Sequence, residues 1–161
     1  EDDVRPMGRT ARGVRAIKLK KDGDAVVGMV VPNDEVHQVL TVCDNGYGKR
    51  TDLNEYLVAS ENDDGSVTRR TQSRGGKGRI DIRTTDRNGS VVAVRAVSPA
   101  EDVMLISQKG MLVRIPAESI SMIGRATQGV RVINLKSGDR LVAAARVMEK
   151  DGEEAEGTPS E

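Results

Sequence analysis

The sequence predicts an all-β fold of repeated, propeller-like units, each with about four antiparallel strands. Three observations carry this. A segment recurs three times, as "MGRTARGVRAIKLKKDGDAVVGM", "QSRGGKGRIDIRTTDRNGSVVAV" and "IGRATQGVRVINLKSGDRLVAAA". Each copy has Arg, three residues, then Gly (Arg9 and Gly13, Arg74 and Gly78, Arg125 and Gly129), with Ile17, Ile82 or Ile133 four residues later. A second unit recurs as "VLTVCDNGYGKRT" and "VMLISQKGMLVRI", where Gly46 answers Gly110 and Arg50 answers Arg114. Repetition near 50 residues with short strands is the mark of propeller-like arrays.

The apolar segments are short, β-branched and bounded by Gly, Asn and Asp, which favours strands over helices. Ten strands are expected, near 13–19, 25–31, 37–44, 46–51, 78–84, 90–96, 102–108, 111–115, 129–135 and 140–147. The "NG" pairs at 45–46 and 88–89 and the "KG" at 109–110 supply tight-turn chemistry, since Gly and Asn tolerate positive φ. The polar stretch "ASENDDGSVTRR" reads as a loop inserted between the first two copies. "PAESISMI", 116–123, hints at a helical turn. The expected core includes Ile17, Val26, Ile82, Val91, Ile133 and Val142, at equivalent places in successive units. Four strands per unit give about two and a half to three blades, as in a piece of a longer array.

Composition narrows the function. The chain has 161 residues, no Phe, no Trp and two Tyr. Single-strand readers stack bases on aromatic rings, and Tyr47 and Tyr56 are a thin supply. A lone cysteine, Cys43, excludes an internal disulfide and a cysteine-based zinc site, and reads as a buried small hydrophobe. A lone His37 removes most metal sites and Ser-His-Asp triads. No cofactor or metal is expected. No apolar run reaches a membrane span and no signal peptide is visible, so a cytoplasmic protein without a membrane partner is expected.

Net charge is zero but unevenly spread. Residues 1–3 form an acidic edge, and 149–161 an acidic, disordered tail with six acids and one lysine. The body, 4–148, keeps 24 Lys and Arg against 16 Asp and Glu. A basic body points to a polyanionic partner, with the tail competing for the same surface or only solubilising it.

"TQSRGGKGR", 71–79, invites a nucleotide-binding reading. A P-loop, however, needs Gly, four residues, Gly-Lys and then Ser or Thr, whereas Lys77 is followed by Gly78 and no Gly stands at the earlier position. Residues 74–78 are instead one copy of the Arg-x3-Gly motif, enriched in glycine and positive charge. Such a loop either brings backbone and cations to phosphates or simply permits the chain to turn into a strand. Tyr47, inside a repeat hairpin, reads as a residue for packing or backbone contact and not as a nucleophile.

Together "MGRTARGVRAIKL", "NGYGKRT", Glu55-Tyr56 and "IGRATQGVRVINL" resemble the C-terminal domain of DNA gyrase A, over residues 4–148. The resemblance implies a β-pinwheel, a propeller-like array whose blades exchange strands and whose basic perimeter wraps duplex DNA. It also implies that catalysis and ATP hydrolysis lie elsewhere, in the rest of gyrase A and in gyrase B. By itself, then, this chain is expected not to be an enzyme. Gln72, Ser73, Arg74, Gly75, Gly76, Lys77 and Gly78 resemble the family's Gln-Arg-Arg-Gly-Gly-Lys-Gly box, with Ser73 where Arg is expected and in a later blade. The related topoisomerase IV protein has similar blades, and a propeller-like protein-interaction module with a basic rim is a further alternative.

The expected function is sequence-tolerant binding, bending and wrapping of duplex DNA in support of negative supercoiling, in the bacterial cytoplasm on the nucleoid. Candidate phosphate contacts are Arg9, Arg12, Arg15, Lys49, Arg50, Arg69, Arg70, Arg74, Lys77, Arg79, Arg125 and Arg131.

Overall fold

The computed structural model describes residues 5–33 and 36–147. The protein is all-β. Its described strands are β1 Gln38–Cys43, β2 Tyr47–Asp52, β3 Val58–Glu61, β4 Val67–Arg70, β5 Val91–Val97, β6 Asp102–Ser107, β7 Leu112–Pro116, β8 Val130–Arg131 and β9 Leu141–Val147. Every ladder is antiparallel. They form a four-stranded sheet β5-β1-β2-β8, a hairpin β3-β4 and a three-stranded sheet β7-β6-β9.

The sequence repeat reappears as a repeat of register. The β1-β2 hairpin takes β5 as its third strand, from Gln38↔Val97 to Cys43↔Val91, with a bulge at Val42/Cys43. The β6-β7 hairpin takes β9 the same way, from Asp102↔Val147 to Ser107↔Leu141, with the bulge at Ile106/Ser107. Each blade thus borrows a strand from the following copy of the Arg-x3-Gly segment. Alternation sets the faces: Val103 and Leu105 of β6 are fully buried, while Met104 and Ile106, which alternate with them, are half-buried. One core joins both blades through Leu40, Val42, Ala93, Val97, Val103, Leu105, Leu141 and Ala144, closed by Ala117, Ile120 and Ile133.

Three expected strands, 13–19, 25–31 and 78–84, are not formed as ladders. The apolar residues of the first copy stay outside, with Ile17 at 42% and Val26 at 67% exposure, against 8% for Ile82 and for Ile133. Apolar, β-branched content marks strand propensity, but a strand also needs a neighbour, and 25–31 has no hydrogen-bonded one among the described residues. Val91 is half-buried. Val142 is exposed because Leu141 takes the inward phase of β9.

The reverse correction concerns "ASENDDGSVTRR". It is not a loop but the β3-β4 hairpin, almost wholly exposed. Turn chemistry holds it. Asn62 Nδ2 donates to Ser66 Oγ and Thr68 Oγ1, Asp64 Oδ1 accepts from Ser66 N, and Gly65 has φ +79°. The expected helical turn shrinks to a 3-10 turn, Ala117–Ser119, followed by extended backbone in which Met122 bridges Arg50 in parallel. A second 3-10 turn, Leu53–Tyr56, is capped by Asp52.

Candidate nucleic-acid interface

The three repeat glycines share one backbone state: φ is +74° at Gly13, +72° at Gly78 and +75° at Gly129. At Gly129 the absence of a side chain also permits contact, since a Cβ there would lie 2.8 Å from Gly48 O, where β8 meets β2. The box-like loop is stitched to the first copy. Gly75 N donates to Ala16 O at 2.6 Å, and Lys18 N donates to Gly76 O at 2.7 Å. These backbone groups are therefore spent inside the protein. What the stitching presents outward is side chains. Lys18, Lys20, Lys77 and Arg79 line one shallow groove of about 250 Å³ together with a single acid, Asp24. The cleft beside Gln72, Ser73, Arg74, Gly76 and Gly78 measures about 200 Å³, below the roughly 300 Å³ at which small-molecule pockets begin.

Arg9, Arg12, Arg15, Arg69, Arg70, Arg74, Lys77, Arg79 and Arg131 are exposed, and Arg125 is half-buried. Two of these guanidinium groups also donate to backbone carbonyls far along the chain. Arg79 Nη1 donates to Leu57 O, and Arg125 donates to Glu55 O and Ile80 O.

Lys49 and Arg50 are corrections. Both are buried, at 0% and 7% exposure, and their donors are taken by protein groups. Lys49 Nζ donates to Asp81 O at 2.8 Å and Gly124 O at 2.9 Å and pairs with Asp81 Oδ1 at 3.1 Å. Thr41 Oγ1 and Tyr56 Oη donate to the same carboxylate, each at 2.6 Å. Burial, reinforced by Asp81, pushes the Tyr56 phenol up. Arg50 donates to Ile120 O, Glu118 O and Gln38 Oε1, and burial lowers its pKa. A glycine-rich hairpin with two cations reads locally as surface. Residues 118–124, far along the chain, cover it.

Sequence reasoning missed Lys18 and Lys20, which the "KLKK" run could have signalled, and Arg87, which nothing local marks. Arg87 meets Arg131 on Tyr47. Tyr47 Oη accepts from Arg87 Nε at 3.2 Å and from Arg131 Nη2 at 2.8 Å. The two guanidinium carbons stand 5.0 and 5.1 Å from the ring centroid. Hydrogen bonds from these cations hold the phenol below its ordinary pKa. Cys43 is buried and its thiol is pushed up to about 11, first by desolvation and then by Asp44 and Asp81, which leaves it inert. His37 is exposed. Among the described residues no helix is long and apolar enough to cross a membrane, and no cluster of His, Cys, Asp and Glu is built to hold a metal.

Solved structures with this architecture include the DNA gyrase A C-terminal domain (TM-score 0.67, 24% identity, 91% of this chain and 45% of that one). Another is the C-terminal domain of DNA topoisomerase IV (TM-score 0.74, 18% identity, 90% and 41%). At such identities the likeness speaks for the fold. Curated relatives are closer in sequence. DNA gyrase A of Haloquadratum walsbyi is 44% identical over 144 residues, covering 89% of this chain and 15% of that protein. DNA gyrase A of Klebsiella oxytoca is 43% identical over 166 residues, 98% and 17%. That of Staphylococcus aureus MRSA252 is 41% identical over 157 residues, 97% and 16%. The chain therefore spans 15–17% of the length of these relatives. A family model described as "DNA gyrase C-terminal domain, beta-propeller" matches residues 1–33, 37–63, 70–98 and 101–148. On that match, the chain belongs to the DNA gyrase C-terminal domain family.

Proposed function

We propose that the chain binds duplex DNA along its basic loops, bends and wraps it without reading its sequence, and so supports negative supercoiling by a type IIA topoisomerase. In this reading it is a non-catalytic domain, residues 4–148, and the rest of gyrase A together with gyrase B supplies the tyrosine chemistry and the ATP hydrolysis. It acts in the cytoplasm, on the nucleoid. The observation that carries the proposal is the stitching of the first two glycine loops, which sets Lys18, Lys20, Lys77 and Arg79 along one groove beside a single acid. Phosphate contacts need charge at fixed places and no base edges. Bending a site of 20–30 base pairs costs about 1–6 kcal/mol, so contacts along a curved path must act together. A topoisomerase IV-type module is the nearest alternative. The gyrase names of the relatives at 41–44% identity favour the first reading.

The test is ligation of nicked circular DNA with and without the chain, followed by removal of protein. Wrapping is expected to shift the linking number in proportion to bound protein. Binding in a gel-shift assay with no such shift would reduce the function to plain DNA binding.

Replacing Arg74 and Lys77 with Ala is expected to weaken binding about equally for all duplex sequences. Each lost phosphate contact should flatten the log–log salt dependence by about one unit. Both side chains are exposed, so the unfolding free energy should move by less than about 0.5 kcal/mol. Loss confined to one DNA sequence would contradict backbone contact.

The acidic segment 149–161 lies outside the described residues. A tethered polyanion competes at high effective concentration. Its removal is expected to raise DNA affinity, most clearly at low salt, where screening is least. Unchanged affinity at low salt would make it a solubiliser.

A further inference from the structure

We propose that Arg87 and Arg131 form a two-pronged clamp for one phosphodiester of duplex DNA, with Tyr47 as the residue that positions both. This rests on the DNA-binding reading above.

The clamp draws on three elements. Tyr47 opens β2, Arg131 lies opposite it on β8, and Arg87 sits in the turn before β5. One phenol oxygen accepts a hydrogen bond from each guanidinium, and both groups lie about 5 Å from the ring centre. A guanidinium has five N–H donors, so one bond to Tyr47 leaves each arginine four. Both arginines are exposed, and neither makes an ion pair to a carboxylate among the described residues. Two cations drawn to one ring repel each other, and an anion placed between them relieves the repulsion. Paired planar forks match a phosphate's oxygens.

The supports are tied to each other. Asn88, fully buried, accepts from Thr85 N and donates to Arg83 O and Gln128 O. It therefore ties the turn that carries Arg87 to the residues just before β8, which carries Arg131. Preorganisation of this kind reduces the side-chain freedom lost on binding.

The fold does not require the trio. In the second blade the same hairpin places Met111 where the first has Tyr47, and the turn before β9 has Ser137 where the first has Arg87. That blade closes without a tyrosine or an arginine at those positions, so the trio is an addition to the blade. The lowered phenol pKa agrees with two cations held at the oxygen.

The test uses the full 161-residue chain, its Tyr47→Phe, Arg87→Ala, Arg131→Ala and Arg87→Lys variants, and a mixed-sequence duplex over a salt series. Each Ala variant is expected to weaken binding about tenfold, the order of one bond to a charged group, and to flatten the salt slope by about one unit. Tyr47→Phe keeps every charge, so it should weaken binding while leaving the slope unchanged. Arg87→Lys should not restore parental affinity, because an ammonium lacks the planar fork. Absorbance titration supplies a readout that a merely structural role would not move. Tyr47 and Tyr56 are the two tyrosines, and the lower step is expected from Tyr47, whose phenol two guanidinium groups hold down while burial pushes that of Tyr56 up. Bound phosphate offsets the guanidinium charge, so that step should rise with duplex present. If the parent binds duplex and all four variants bind like it with the same slope, the clamp is wrong and the DNA reading stands. If the parent does not bind duplex at low salt, both fail. Should Tyr47→Phe not fold, as judged by circular dichroism, the arginine variants decide.

Discussion

Asp81→Ala is expected to cost about 3–5 kcal/mol, the scale of breaking a buried ion pair from one side. The substitution leaves the Lys49 ammonium with 0% side-chain exposure and only two carbonyls, Asp81 O and Gly124 O, to solvate it. It also strands the hydroxyls of Thr41 and Tyr56, which donate to the lost carboxylate. Lys49→Met should cost less. The Asp81 side chain is 23% exposed and keeps both hydroxyl donors when the lysine goes. A control lies in the chain itself. Arg114 and Asp102 pair at 2.6 Å on the second hairpin, with the arginine side chain 51% exposed, so Arg114→Ala should stay within about 1 kcal/mol. Urea unfolding, read as a shift of midpoint at constant slope, measures all three. An Asp81→Ala shift no larger than that of Arg114→Ala would show that the pair does not anchor the blade.

The second hairpin explains why removing one partner is costly although the network is dispensable to the fold. Thr41, Lys49 and Thr51 correspond to Leu105, Val113 and Ile115 in the repeat. The same inward positions are polar in one blade and apolar in the other. An apolar blade closes well, whereas a half-emptied polar one leaves a charge without a partner. This was the available signal that Lys49 lies inside: its repeat counterpart is a valine. Arg50 offered none, because its repeat counterpart, Arg114, is also an arginine.

Much of the fold was legible because it rests on alternation. β1, β2, β5, β6, β7 and β9 lie within or beside the expected ranges, each carrying β-branched residues between glycine turns. The failures have physical reasons. β3 and β4 bury almost nothing, and their stability comes from the Asn62–Ser66 turn and their own ladder, so apolar pattern cannot reveal them. The 13–19 and 25–31 segments have the composition of strands without a partner in a ladder. The site divides similarly. Local charge found the loop cations, but burial by residues far along the chain removed Lys49 and Arg50. Arg87 entered through a contact 40 residues away from Tyr47 in sequence.

DNA affinity is expected to fall by roughly a thousandfold between 50 and 200 mM salt. The figure follows from the number of phosphates neutralised, since each contributes a slope of about −0.9 on the log–log plot and about six contacts give this loss. Burial in the fold narrows the cations that could supply those contacts. Of the twelve cations expected at phosphates, Lys49 and Arg50 are buried, and Arg79 and Arg125 spend guanidinium donors on distant carbonyls; Lys18 and Lys20, outside that twelve, add to the groove. Six is then a modest demand on the exposed set. The dependence should be the same for duplexes of different sequence, because bonds to phosphate carry no base information. Duplex should outcompete single strands, for a reason in the fold as well as in composition. Tyr47 is 5% exposed beneath two arginines and Tyr56 is half-buried against Asp81, so neither ring is offered for base stacking. Isothermal titration or fluorescence anisotropy over four salt concentrations measures the slope. A slope near zero, or tighter binding to single strands, would overturn a wrapping surface made of backbone contacts.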